Sequence, residues 1–259
     1  MTDTAKYADV ILPAVTFLEQ QEIKSSYGSY ALQYINPVIK PRGESKPNEE
    51  VFALLGRRMG WKDNAFMEKT DDYLKRAVNA VKGLGKEVDF KKLQNDKIAF
   101  FDFPGKNPVQ FSTVFPFTND KKINLSPKNL GIDPFRYFEL SHRDFPLAML
   151  SPATNKTVTS TMGEYNLAEL YIEINPKDAK PRAIKEGSLV RVFNKLGEVI
   201  VKARITEKVR DGVVVIPKGA WRKSSLNGCT STALTPDTLS RIGAGACFND
   251  SRVEIKLVQ

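Results

Sequence analysis

Two cysteines and one histidine among 259 residues close several routes. An iron–sulfur cluster usually takes four thiolates, and a structural zinc site takes four ligands. Cys229, Cys247 and His142 supply neither by themselves, and two cysteines make no disulfide scaffold. The pair reads as two plain buried or half-buried thiols rather than a bridge. No apolar run approaches the roughly 18 residues of a membrane helix. Met1 to Tyr7 carries no basic stretch followed by an apolar one, so the chain reads as lacking a signal peptide. G-x-x-x-x-G-K-S/T, G-x-S-x-G and H-E-x-x-H are absent. Gly243 and Gly245 begin a G-x-G, but Phe248 stands where the dinucleotide fingerprint needs its third glycine.

What is present is ordinary in bulk and skewed in charge. The chain is 41% hydrophobic and 27% charged, which excludes wholesale disorder. Lysine and arginine number 39 against 30 acids, a net charge of +9. That favours anionic partners such as nucleotide phosphates, nucleic acid, acidic lipid or an acidic protein, without choosing among them.

Ala8-Asp9-Val10-Ile11-Leu12-Pro13 reads as a short buried strand ended by proline. Tyr27 to Ile39 reads as extended structure with turns. Ser45, as N-cap, precedes Pro47-Asn48-Glu49-Glu50 and apolar residues at Val51, Phe52, Leu54, Leu55 and Met59, which is helix spacing stopped by Gly60. A second helix is predicted from Asp71, capped by Thr70, with Leu74, Ala77, Val78 and Val81 as its stripe and Gly83 at its end. Residues 84 to 146 look less regular. Phe100, Phe101, Phe103, Phe111, Phe115 and Phe117 lie there among prolines. They read either as a stacking surface or substrate funnel, or as a loop-rich segment packed down by phenylalanines. Packing is favoured, because basic residues do not alternate with the rings as on a nucleic-acid platform.

From Phe145 the pattern turns to strands. Pro146 to Leu150, Leu170 to Ile174, Ser188 to Phe193, Val213 to Ile216 and Arg252 to Val258 each read as one, and Pro176 to Ala183 as one or two helical turns. Val199, Val201, Ala203 and Ile205 face one way while Glu198, Lys202 and Arg204 face the other. Strands at this spacing predict a closed or nearly closed β-barrel beginning near residue 144.

Three loops near barrel strand ends are rich in small polar residues: Ser151 to Gly163, Leu226 to Asp237, and Ile242 to Asp250. Hydroxyls, amides and an ammonium at a strand end suit a phosphate or a heterocycle edge; the other reading is a solvated loop. Cys229 and Cys247 are poor candidates for nucleophiles. His142, between Ser141 and Arg143, could serve as a base but reads as a surface or linker residue.

Several strings then add up. Thr4-Ala5-Lys6-Tyr7-Ala8-Asp9-Val10-Ile11-Leu12-Pro13, Tyr27-Gly28, Pro37-Val38-Ile39 and Asn48-Glu49-Glu50-Val51-Phe52 closely resemble a stretch of the large subunits of the molybdopterin oxidoreductases. These are the dimethyl-sulfoxide-reductase-like enzymes that carry a bis-molybdopterin guanine dinucleotide. Leu150-Ser151-Pro152-Ala153, Asn175-Pro176-Lys177-Asp178-Ala179, Arg210-Asp211-Gly212-Val213-Val214, Ala233-Leu234-Thr235-Pro236-Asp237 and Gly245 to Glu254 resemble that family's dinucleotide-binding domain. The resemblance covers about residues 2 to 60 and 145 to 258. It implies the remnant of an α/β domain over 1–83, a loop-rich connection over 84–144, and a double-psi β-barrel over 145–259.

By resemblance, Ser151, Ala153, Asn155, Lys156, Ser160 and Thr161 contact the pterin dinucleotide, with Lys156 its cation. Thr232 stands where the family often has Asn, and Phe248 and Asn249 approach the cofactor near the end of the chain. The family's cysteine cluster, molybdenum ligand and most of two central domains would lie upstream. The chain thus resembles the C-terminal portion of a molybdenum or tungsten oxidoreductase, with no metal ligand, iron–sulfur cluster or acid–base residue of its own, and inactive alone. Its implied partners are the N-terminal part or subunit of the same enzyme, an electron-transfer subunit, or a second copy. The cytoplasm is the favoured location, the periplasm holding if a full-length precursor is exported. A basic, non-catalytic barrel that binds protein or nucleic acid is the alternative, with nucleic acid disfavoured. A severed α/β domain should also leave Val10-Ile11-Leu12 and the stripe Val51, Leu55, Met59 poorly covered.

Overall fold

The computed structural model describes residues 1–258 except 82–83, 85–87, 106, 132–134, 136–142, 162, 166–168 and 241–242. His142 and Gly83 therefore lie outside the described residues. The chain divides into two compact units, one of residues 9–124 and one of 1–8 with 125–259.

The first unit is built on a small antiparallel sheet. Strand β1 (Glu22–Lys24) pairs with β2 (Ala31–Ile35), and β2 pairs with β3 (Ile98–Phe100). Helices α1 (Asn48–Arg58), α2 (Thr70–Ala80) and α3 (Phe90–Asp96) complete it. Leu32 and Tyr34 from β2, Val78 from α2, Phe90 and Leu93 from α3 and Ala99 from β3 form its core. Asp89 caps α3 by accepting a 2.7 Å hydrogen bond from the Lys92 N–H. Thus α3 and β3 fall in the stretch that composition suggested was irregular.

Three local expectations are corrected. Residues 8–12 form no strand, and Val10 is 74% exposed; an apolar run pairs as a strand only where a neighbouring edge is offered. Ser45 does not cap α1, because the helix starts at Asn48, two residues too late for it; its hydroxyl donates to the Arg42 carbonyl at 2.7 Å. Helix α2 begins at Thr70 rather than after it, and the Asp72 carboxylate reaches back to accept from the Lys69 N–H at 3.1 Å. Of the residues expected to lack cover, Val10, Ile11, Leu12, Leu55 and Met59 are exposed, while Val51 is half-buried.

The second unit is a barrel. Its strands are β4 (Leu147–Leu150), β5 (Tyr171–Ile174), β6 (Leu189–Phe193), β7 (Glu198–Ile205), β8 (Val213–Val215) and β9 (Ser251–Leu257). They close in the order β4-β8-β5-β7-β6-β9, with β9 returning to β4. Two pairs are parallel, β4 with β8 and β5 with β7, and the rest antiparallel. The alternation places Val190, Val192, Val199, Val201, Val253 and Ile255 inward, each at most 1% exposed. Met149, Ile172, Ile174, Val214 and Leu234 fill the same core.

The short helix α4 (Pro176–Ala179) follows β5. Asn175 caps it by accepting from the Lys177 N–H at 2.9 Å, and Pro176 supplies the fixed first position. Beyond it, Arg182 grips Glu254 of β9 through Nε to Oε1 at 2.6 Å and an outer nitrogen to Oε2 at 3.2 Å.

Candidate functional site at the barrel rim

The register decides which loops meet. Ala148 of β4 pairs with Val213 of parallel β8, and Met149 pairs with Ser251 of antiparallel β9. The ends of β4 and β8 and the start of β9 therefore share one rim, as does the start of β5, which runs against β8. The connections 151–170 and 216–250 both leave and return there. All three small-polar loops read from the sequence lie on these two connections.

Ser151 anchors the rim and is 2% exposed. Its N–H donates to Asn249 Oδ1 at 3.0 Å, and its hydroxyl donates to the Ile216 carbonyl at 2.9 Å. Phe248, next to Asn249, is half-buried, and Lys218 Nζ sits 4.7 Å above its ring. The Lys218 N–H donates to the Pro152 carbonyl at 3.0 Å, so that lysine is fixed between the first and third loops. The Ser251 hydroxyl, two residues beyond Asn249, is buried and lacks a hydrogen-bond partner among the described residues.

Asn155 and Lys156 are exposed and line a cleft of about 220 Å3 with Tyr171, Glu169 and Arg204. The Arg204 guanidinium lies 3.4 Å from the Tyr171 ring centre, and Lys202 Nζ meets Glu169 Oε2 at 2.8 Å. Thr154 and Thr157 join hydroxyls at 2.8 Å beneath that loop.

Ser160 and Thr161 sit on the same loop further along. The Ser160 carbonyl accepts from Trp221 Nε1 at 2.8 Å, and the Thr161 hydroxyl donates to the Val158 carbonyl. Gly219 (φ +83°) permits this approach, since a Cβ there would stand 2.9 Å from the Ser160 nitrogen. A Cβ on Gly163 would stand 2.0 Å from Trp221 Nε1, so the indole packs where only glycine leaves room. Ala153 is exposed on the first loop. Thr232 is exposed, and its hydroxyl pairs locally with Thr230 at 3.0 Å.

The structure thus joins Ser151 and Asn249 directly, places Phe248 beside them under Lys218, and sets Asn155 and Lys156 in a cleft on the same loop. Reasoning from sequence missed Lys218, Trp221, Arg204 and Tyr171. A signal for the first two existed in Pro217-Lys218-Gly219-Ala220-Trp221, a strand end opening into glycine with a cation and an aromatic. Arg204 was visible only as an outward member of an alternating strand.

The cysteines are both free and half-buried. Burial pushes the Cys247 thiol up, and Asp250 beside it adds to the effect, so it is a poor nucleophile. Among the described residues no group of three or more His, Cys, Asp or Glu side chains could hold a metal ion.

A closed six-stranded barrel with two parallel pairs woven among antiparallel ones is a double-psi β-barrel. Acetylene hydratase from Pelobacter acetylenicus has this fold: its structure matches 100% of this chain and 39% of its own, with a TM-score of 0.69 at 17% identity. The model of the molydopterin dinucleotide binding domain matches residues 151–251, which hold β5 to β8 and the rim loops, and the model of molybdopterin oxidoreductase matches residues 1–58. Together the two take in more than half of the chain, which belongs to the molybdopterin oxidoreductase family and carries that family's dinucleotide-binding domain.

Among its relatives, a probable oxidoreductase of Bacillus subtilis, YoaE, is 32% identical over 100% of this chain and 39% of its own length. The dimethyl sulfoxide reductase DmsA of Escherichia coli is 27% identical over 100% of this chain and 37% of its own. The chain thus spans less than two-fifths of the length of these relatives. No helix among the described residues is long and apolar enough to cross a membrane.

Proposed function

We propose that the barrel rim binds part of a bis-molybdopterin guanine dinucleotide, and that the chain works as one portion of a molybdenum or tungsten oxidoreductase. The observation that carries this reading is the junction of the rim loops, where Asn249 holds the Ser151 N–H while Lys218 lies over Phe248.

The donor set suits such a ligand. Hydroxyls and amides at Asn155, Ser160, Thr161, Thr232 and Asn249 match the edges of guanine and pterin rings, and the Ala153 backbone lies among them. Lys156, Lys218 and Arg204 supply cations for diphosphate. The Ser251 hydroxyl, without a hydrogen-bond partner among the described residues, offers one more buried donor two residues from Asn249. When bound, the cofactor supplies the redox-active metal centre. The residues of this chain bind and orient it: the lysines hold phosphate, Asn249 fixes the first loop, and Phe248 excludes water from the junction. None of them ligates the metal or moves a proton. In this reading the chain alone turns over no substrate, and the remaining domains or a partner subunit complete the enzyme.

Titration calorimetry with guanosine diphosphate at two salt concentrations tests the rim. Charge-assisted hydrogen bonds contribute about 1.5–3 kcal/mol, so Lys156→Ala and Lys218→Ala should each weaken binding about tenfold or more, and less so at high salt. Asn249→Ala should weaken it with little salt dependence. Lys92→Ala, on α3 of the other unit, should leave it unchanged. Equal losses at Lys92 and at the rim lysines would reduce the site to general surface charge.

A further inference from the structure

We propose that a second site lies in the unit of residues 9–124, an aromatic cavity that takes an organic cation, an ammonium carrying methyl or alkyl groups. It is independent of the barrel and of the cofactor reading above. The cavity holds about 530 Å3, within the range of small-ligand sites.

Its walls include the rings of Tyr30, Phe101, Phe103, Phe115 and Phe117. Tyr30 and Phe103 meet edge-on, with centres 5.8 Å apart and planes at 63°. Gln110 Nε2 donates to the Tyr30 hydroxyl at 2.5 Å, which fixes that ring in place before any ligand arrives. Ring faces carry negative potential and attract cations. One wall ring already does so: Lys121 Nζ stands 5.6 Å over Phe115, and Lys121 is not among the lining residues.

The charge at the cavity decides the class of ligand. Among the described residues that line it, Asp102 alone is charged, in a chain whose net charge is +9. Asp102 is exposed and makes no hydrogen bond or ion pair among the described residues. A neutral apolar ligand would cover this carboxylate without pairing it, and an anion would be repelled. A cation with an apolar body meets both the rings and the acid. Rings and acid come from different segments, around residues 30, 102 and 115, so the sheet and its following loops assemble the site.

Calorimetry of the full chain with choline, against its uncharged isostere dimethylbutanol, is the test. Choline should bind at least fivefold more tightly than the isostere. Asp102→Asn should weaken choline about fivefold and leave the isostere unchanged. Phe103→Leu, which keeps apolar volume, should cost choline about two- to fivefold, the scale of one exposed ring contact. Glu44→Gln, an exposed acid of the same unit outside the cavity, should change neither. Equal affinity for choline and the isostere, or no choline binding at tens of millimolar, overturns the proposal. So does an equal loss at Glu44→Gln. The comparison of the two ligands on the unaltered chain stands even if a variant misfolds.

Discussion

Glu254→Gln keeps the shape of the side chain and removes its charge, and so isolates the ion pair that ties β9 to the turn after α4. Arg182 and Glu254 are 19% and 21% exposed, well short of a solvated surface pair. Surface pairs contribute about 0–1 kcal/mol, and breaking a fully buried pair costs about 3–5. Arg182 keeps one other partner, the Asp178 carbonyl at 2.9 Å, so its guanidinium is not left stranded. The expected cost at neutral pH is about 2 kcal/mol, or roughly 1 M in the urea midpoint for an m-value near 2 kcal/mol/M. Burial pushes the Glu254 carboxyl up; the hydrogen bonds from Arg182 and the Ile255 N–H, with the Arg182 and Lys256 charges, outweigh it and hold the carboxyl below its ordinary 4.5. A carboxyl lowered in the folded state stabilises fully above its unfolded value, and that stabilisation is lost as pH falls through the folded value. The penalty of the variant should therefore persist from pH 7 to about pH 5 and fade towards about pH 3. Trp221 fluorescence in a Trp61→Phe background follows the barrel alone, these being the two tryptophans. A penalty of the same size at pH 3 and pH 7 would mean that the cost comes from packing rather than charge.

Gly163→Ala would place a methyl 2.0 Å from the Trp221 Nε1, so the indole must leave and its bond to the Ser160 carbonyl must break. Trp221 emission should shift to the red while far-ultraviolet circular dichroism stays that of the parent. Ile172→Ala empties a position that is 0% exposed in the barrel core and should cost about 2–5 kcal/mol in urea unfolding of the barrel.

Much of the barrel was legible because its strands are half-buried and alternate strictly; Val199, Val201 and Ala203 read as one face and are one face. The same logic misled at Ala8 to Leu12, because apolar content states what wants cover and not what provides it. Helix α3 was hidden by its setting. Its cap, Asp89, stands in a stretch whose many phenylalanines and prolines read as irregular. At the rim, composition picked out the loops. It passed over Lys218, which stands at a strand end outside those three loops and reaches the rim because β4 and β8 pair in parallel. Nor could it tell that the Ser151 hydroxyl is spent on the Ile216 carbonyl. A hydroxyl that completes the backbone and one that awaits a ligand look alike in a sequence.

Strand β9 is the staple of the barrel, and it is also the last of the six to leave the ribosome. Until Ser251–Leu257 emerges, the other five can form only an open sheet ending in β4 on one side and β6 on the other. Both of those edges then carry unpaired backbone groups beside valines and a methionine destined for the interior. The barrel therefore cannot close before β9 is available, and a nascent chain paused before residue 251 is at its most adhesive. The rim loops inherit the same timing. Asn249 reaches the Ser151 N–H only when β9 zips against β4, so the binding surface and the sealed core come into being in a single event.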